Sequence, residues 1–209
     1  MQHIVLLGDS IFDNAAYVGN GPDVIHQLRA ILPPGWQASL NAVDGAVTAS
    51  VAAQLARLPA DASHLVVSAG GNDALREAGV LDEEAHSVAE ALEKLASIRR
   101  RFEQDYRAML EHVLRRGLNT AVCTIYDARF PDPDRRRIAA TALTVINDVI
   151  TRQAFSHALS LIDLRLICDS DDDFANPIEP SVRGGQKIAR AVARFAMRNG
   201  TPRSEVMAR

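Results

Sequence analysis

The chain has 209 residues, 47% of them hydrophobic, which suits one substantial core and is short for two. A formal charge of -3 gives no electrostatic reason to expect nucleic acid or an anionic membrane as partner, and no apolar run approaches the ~20 residues that span a bilayer. Two cysteines, Cys123 inside an apolar run and Cys168, speak against a disulfide framework and fit a reducing, cytoplasmic setting, and the N-terminus shows no basic segment leading into an apolar leader.

Residues 3–7 are almost continuously apolar, the pattern of a strand buried on both faces, and they end in Gly8-Asp9-Ser10. A serine hydroxyl is thereby set at the end of a buried strand. Residues 22–32 have helical spacing, 36–43 read as a second strand leading to Asp44-Gly45, and 48–58 read as a second helix. A third strand over 64–69 runs into Gly70-Gly71-Asn72-Asp73. Ile98, Phe102, Tyr106, Met109, Leu110 and Val113 then trace an apolar helical stripe, with Gly117 placed as its C-cap. Strands over 119–126 and 159–164 and helices over 135–155 and 181–197 complete the order, and a tail, 201–209, lacks periodicity.

Strands alternating with helices predict an α/β protein with a parallel sheet, organised as a single domain over 1–200. Ligands of such sheets bind beyond the carboxyl ends of the strands. Ser10, Gly45 and Asn72 follow the first three strands, and Glu179 lies between the fifth strand and the last helix, so four segments point at one crevice. The peptide N–H groups of Ser10 and Gly45 and the Asn72 side-chain amide are the kind of donors that stabilise a developing oxyanion in acyl transfer.

Each residue also has a plainer reading. Ser10 alone reads as a helix N-cap or turn former, Asn72 as a turn residue and Gly45 as a hinge. Asp9, Asp13 and Asn14 read as braces of the serine loop. Phe12, Tyr17, Tyr126 and Phe130 flank the same strand ends and are candidate pocket walls, although aromatic residues are more often simple core. The acidic run 169–173 looks superficially like a calcium loop, but Phe174 and Pro180 stand where that loop needs Gly and Glu, which favours a solvated loop.

With these blocks in place, the chain resembles the SGNH, or GDSL-type, esterase and lipase superfamily over nearly its full length. The resemblance is carried by Gly8-Asp9-Ser10-Ile11-Phe12-Asp13-Asn14, Asp44-Gly45, Gly71-Asn72-Asp73 and Pro180-Ser181 with Gly184. It implies a three-layer α/β/α, flavodoxin-like fold with strand order 2-1-3-4-5, and Ser10 as nucleophile. It further implies an oxyanion hole of Ser10, Gly45 and Asn72, a small-molecule ester substrate, and no metal or organic cofactor.

The last block departs from the family pattern of an Asp followed three residues later by a His, because those positions are Asn176 and Glu179. The six histidines lie elsewhere in the sequence. Losing the base of a serine hydrolase can cost on the order of 10⁶ in turnover. Glu179 reads as the replacement base, as a substrate-binding carboxylate or as the N-terminal flank of the last helix; the base role requires that burial lift its pKa from about 4.3 toward 6 or 7, with Asn176 expected to orient its carboxyl group. The leading expectation is a serine ester hydrolase, and the rival is a non-catalytic ligand-binding module of the same fold. Oligomeric state is left open.

Overall fold

A computed structural model describes residues 2–198, so the tail expected over 201–209 lies outside the described residues. Five strands, β1 (Gln2–Gly8), β2 (Trp36–Leu40), β3 (His64–Ser68), β4 (Asn119–Cys123) and β5 (Ser160–Ile162), pair in parallel in the order β2-β1-β3-β4-β5. The helices are α1 (Val24–Ile31), α2 (Val51–Leu55), α3 (Gly71–Arg76), α4 (Val88–Leu114), α5 (Pro133–Ser156), α6 (Leu164–Ile167) and α7 (Val182–Ala196).

The period-2 alternation of β1 divides the interior into two layers. Ile4 and Leu6 enter the core shared with α1 and α7, whereas Val5 and Leu7 enter the core shared with α2, α4 and α5. All four are fully buried, and burying an aliphatic side chain of this size contributes about 1.5–3 kcal/mol. Helices on both faces explain why a parallel strand reads as a continuous apolar run. The predicted stripe of α4 is its buried face, from Ile98 to Val113.

β2 and β4 end three residues earlier than their apolar runs suggest, whereas β1 runs to Gly8, one residue past its expected end. β1 stops at Gly8, where Gln54 of α2 accepts from the Gly8 N–H at 2.7 Å and donates to the Gly8 carbonyl at 2.8 Å. β4, expected to reach residue 126, stops at Cys123, and Asn147 of α5 makes the same pair of contacts with Ile125, both at 2.8 Å. A helix-borne amide thus takes the place of a neighbouring strand. β2, expected to reach residue 43, ends at Leu40 as Asn41 and Ala42 both donate to the Leu6 carbonyl and the chain turns away. The helix expected over 48–58 is a 3₁₀ turn, Thr48–Ser50, followed by the short α2.

Gln54→Ala leaves the Gly8 N–H buried and unsatisfied, while the Gly8 carbonyl keeps the Val43 N–H at 3.0 Å. Its expected cost is about 1–3 kcal/mol, measured by urea unfolding.

The short helices α3 and α6 and one hairpin escaped the sequence reading. An antiparallel hairpin of β6 (Phe174–Asn176) and β7 (Glu179–Pro180) precedes α7, pairing Asn176 with Glu179. The acidic run before it forms a 3₁₀ turn, in which Asp173 is fully buried and receives Lys187 at 2.7 Å.

Candidate active site

The turn after β1 lifts Ser10 out of the sheet, and its hydroxyl donates to Glu179 Oε1 at 3.0 Å. These residues are 169 positions apart in sequence, yet both are buried, with Ser10 7% and Glu179 5% exposed. The other carboxylate oxygen, Oε2, is buried without a hydrogen-bond partner among the described residues. Removal from water disfavours a carboxylate, and burial lifts the Glu179 pKa to about 7 despite the Ser10 hydrogen bond, with the Asp44 charge adding to the rise.

The expected role of Asn176 needs correction. Its Oδ1 accepts from the backbone N–H groups of Ile178 and Glu179, both at 3.0 Å, and it does not orient the carboxyl group by hydrogen bonding. The reason is the hairpin, which turns an Asn two or three residues upstream toward the backbone of the turn. Glu179 is instead held through its main chain: Tyr126 donates to the Ile178 carbonyl at 2.7 Å and Asn14 Nδ2 to the Pro180 carbonyl at 3.1 Å. Among the described residues, Ser10 is the side chain that hydrogen-bonds the Glu179 carboxyl group, with no third side chain on it. Sequence reasoning missed Tyr126 and underused Asn14 in this role, since neither contact has a local signature.

Asp9, Asp13 and Asn14 brace the serine loop. Asp9 Oδ1 accepts from the Ile11 N–H, Asp13 Oδ2 from the Asp44 N–H, and Asn14 Oδ1 from the Val24 N–H. Asp9 is buried beside Ser10, and desolvation, reinforced by the Glu179 and Asp73 charges, pushes its pKa up to about 8.

Asn72 stands in the first turn of α3, and its Nδ2 donates to the Ala46 carbonyl at 2.9 Å, leaving the second amide hydrogen for a ligand. Asp73 anchors the same loop by accepting from the Thr48 N–H and hydroxyl. Gly45 lies on that loop at an exposed position, with a φ of 74°. Among the described residues, no protein acceptor takes the peptide N–H of Ser10 or of Gly45.

Ser10, Asn72 and Glu179 line one cavity of about 150 Å³, whereas Gly45 does not line it; Asn72 tethers its neighbour Ala46. Tyr126 and Phe130 line the cavity as expected. Phe12 and Tyr17 do not: Phe12 is fully buried in the α1 and α7 core, and Tyr17 donates to Asp44 on the surface. No histidine lines the cavity; His3 is engaged by Asp61 and Ser39, His26 by Asp23 and His64 by Ser63. Cys123 and Cys168 are free and buried, and burial drives both thiol pKa values upward.

A parallel α/β/α sheet with a serine hydroxyl, a carboxylate and an Asn amide gathered at its carboxyl end defines the architecture of an ester hydrolase. Over residues 6–187 the sequence matches the model of the GDSL-like Lipase/Acylhydrolase family, and the chain belongs to that family, whose chemistry is ester hydrolysis.

Solved structures bear the same fold. An extracellular lipase from Streptomyces rimosus superposes with a TM-score of 0.69 at 18% identity, covering 94% of this chain and 100% of that one. The lipase Lip_vut3 from a goat rumen metagenome gives a TM-score of 0.70 at 16% identity, covering 94% and 99% of the two chains. The M. smegmatis aryl esterase gives 0.65 at 13% identity, covering 93% and 97%. Among curated proteins, no relative matches the chain. No helix among the described residues is long and apolar enough to cross a membrane.

Proposed function

We propose that the chain is a cofactor-independent carboxylic ester hydrolase in which Ser10 is the nucleophile and Glu179 the general base. The hydrogen bond from Ser10 Oγ to the buried Glu179 carboxylate carries this reading. In acylation, Oγ attacks the ester carbonyl carbon while its proton passes to Glu179, and the carbonyl oxygen becomes an oxyanion. The peptide N–H groups of Ser10 and Gly45 and the free Asn72 amide hydrogen receive that charge. Collapse breaks the bond to the alkoxy oxygen, which departs as the alcohol with the proton held on Glu179. Water then attacks the acyl carbon, gives a proton to Glu179, and the acid leaves as Ser10 recovers its hydrogen.

Electrostatics support the base role. A carboxylate in water is too weak a base to deprotonate a hydroxyl efficiently, and a base with pKa near the working pH combines availability with driving force. The environment of Glu179 moves it to that range. Because the base acts ionised, kcat/KM is expected to rise with pH and level off above about 7. The domain proposed to do this spans 1–200, and the buried free thiols support a cytoplasmic setting.

A fluorophosphonate probe tests the proposal, since phosphonylation requires an activated serine. Wild type is expected to be labelled at pH 8 and Ser10→Ala to stay unlabelled. A wild type that resists the probe and turns over no aryl ester, yet binds esters, would favour the non-catalytic module instead.

A further inference from the structure

We propose that the cavity beyond Ser10 is an acyl-chain site that selects esters of medium-chain acids over acetate esters. This rests on the ester-hydrolase reading above and adds the identity of the group that the enzyme accepts.

The walls carry the inference. Away from the polar end, the cavity is bounded by Val80, Leu81, Leu95, Ile98, Leu143 and Ile146, contributed by the segment after α3 and by α4 and α5. Ala139 and Ala142 of α5 also line it, and their small size leaves the space open. The two charged side chains toward the rim are already paired. Arg135 makes two contacts with Asp82, at 2.6 and 3.1 Å, and Arg101 holds Glu77 at 2.9 Å.

No lining cation is therefore left unpaired to attract a phosphate or carboxylate. The Tyr126 hydroxyl is spent on the Ile178 carbonyl, so a sugar would lose its hydrogen bonds to water with little return. An alkyl chain loses nothing and gains burial. An apolar cavity of about 150 Å³ takes up a hydrocarbon of about six carbons.

The site also distinguishes the two halves of the ester. Glu179 is delivered by the hairpin leading into α7, on the α1 and α7 side of the sheet, whereas the apolar walls come from α4 and α5 on the opposite side. A leaving oxygen must face Glu179 to take its proton. The alcohol half is thus directed to the α7 side and the acyl chain into the cavity.

The test is a series of p-nitrophenyl esters from acetate to decanoate. Each buried methylene is worth about a fourfold gain, so kcat/KM is expected to rise about 10²-fold from acetate to hexanoate and then flatten. Ala142→Leu and the bulkier Ala142→Phe are expected to lower the hexanoate-to-acetate ratio at least tenfold. Thr141→Phe, exposed and off the cavity wall, should leave that ratio unaltered. A wild type that prefers acetate, or a ratio indifferent to both Ala142 variants, overturns the acyl site.

Binding to Ser10→Ala separates this inference from the hydrolase reading. Methyl hexanoate is expected to bind on the order of 10²-fold more tightly than methyl acetate in ligand-observed NMR titrations. That result without turnover of any ester by wild type would sink the hydrolytic reading and support the chain site. Equal binding of the two esters, with turnover intact, would sink the chain site alone.

Discussion

Glu179→Gln is expected to lower kcat/KM for an aryl ester by roughly 10³ to 10⁶ and, above pH 7, to make the protein more stable. The variant keeps the size of the side chain and an oxygen able to accept from Ser10, but it has no basic site to take the proton. Ser10→Ala should cost a comparable factor, and the double variant little more than either alone, because residues that act as one unit lose their effect together. Additive losses, or a rate unchanged by Glu179→Gln, would remove Glu179 from the reaction.

The stability half follows from linkage. The folded protein raises the Glu179 pKa from 4.5 to about 7, so it favours the protonated form. Stability from this group is full below the unfolded value, falls as pH rises through the interval, and is lost above the folded value. The ionised carboxylate then costs on the order of 3 kcal/mol. Gln never ionises, so the variant and wild type are expected to have similar unfolding free energies at pH 4. At pH 8 the variant should lead by about that amount. Urea unfolding at the two pH values measures the difference, and a variant weaker at pH 8 contradicts the buried-base reading. Under the proposed base role, the fold gives up stability to keep a carboxylate of near-neutral pKa beside Ser10, the trade expected of a functional arrangement rather than a packing solution.

Gly8→Ala is expected to prevent folding. Gly8 has a φ of 123°, and an added Cβ would lie 1.6 Å from the Ser68 carbonyl oxygen of the adjacent strand. That oxygen already accepts the Asp9 N–H at 3.1 Å, the contact from which the serine turn departs. Relieving the overlap would separate β1 from β3 at the middle of the sheet, against a total stability that for domains of this kind is about 5–15 kcal/mol. Gly117→Ala is the control: its φ of 64° also favours glycine, yet nothing lies within 4 Å of the added carbon. It should cost only about 1 kcal/mol and leave a cooperative unfolding transition. Circular dichroism and soluble yield distinguish the two, and a well-folded Gly8→Ala protein would refute the close approach.

The contrast between these glycines shows where sequence reading stops. In the sequence Gly117 read as a helix C-cap and Gly8 as the first residue of the Gly8-Asp9-Ser10 block, but only the position of Ser68 makes Gly8 indispensable. Likewise, the apolar runs placed the strands correctly, while their ends were fixed by Gln54 and Asn147, amides that reach Gly8 and Ile125 from 46 and 22 residues away.

By itself the sequence determined the layered parallel sheet, the buried faces of its strands and the gathering of Ser10, Asn72 and Glu179 at one end. These follow from periodicity and from chain order, which are local properties of the polymer. Only the tertiary structure decided that Glu179 meets Ser10 directly, that Asn176 serves the backbone instead of the carboxyl group, and that Phe12 and Tyr17 stand away from the cavity. Those outcomes depend on the β6 and β7 hairpin and on the packing of α4 and α5, where distant segments compete for the same space and for the same hydrogen bonds. A residue's type limits the chemistry it can perform. Its desolvation and its partners, set by chain segments far away in sequence, determine which of those chemistries it is held to perform.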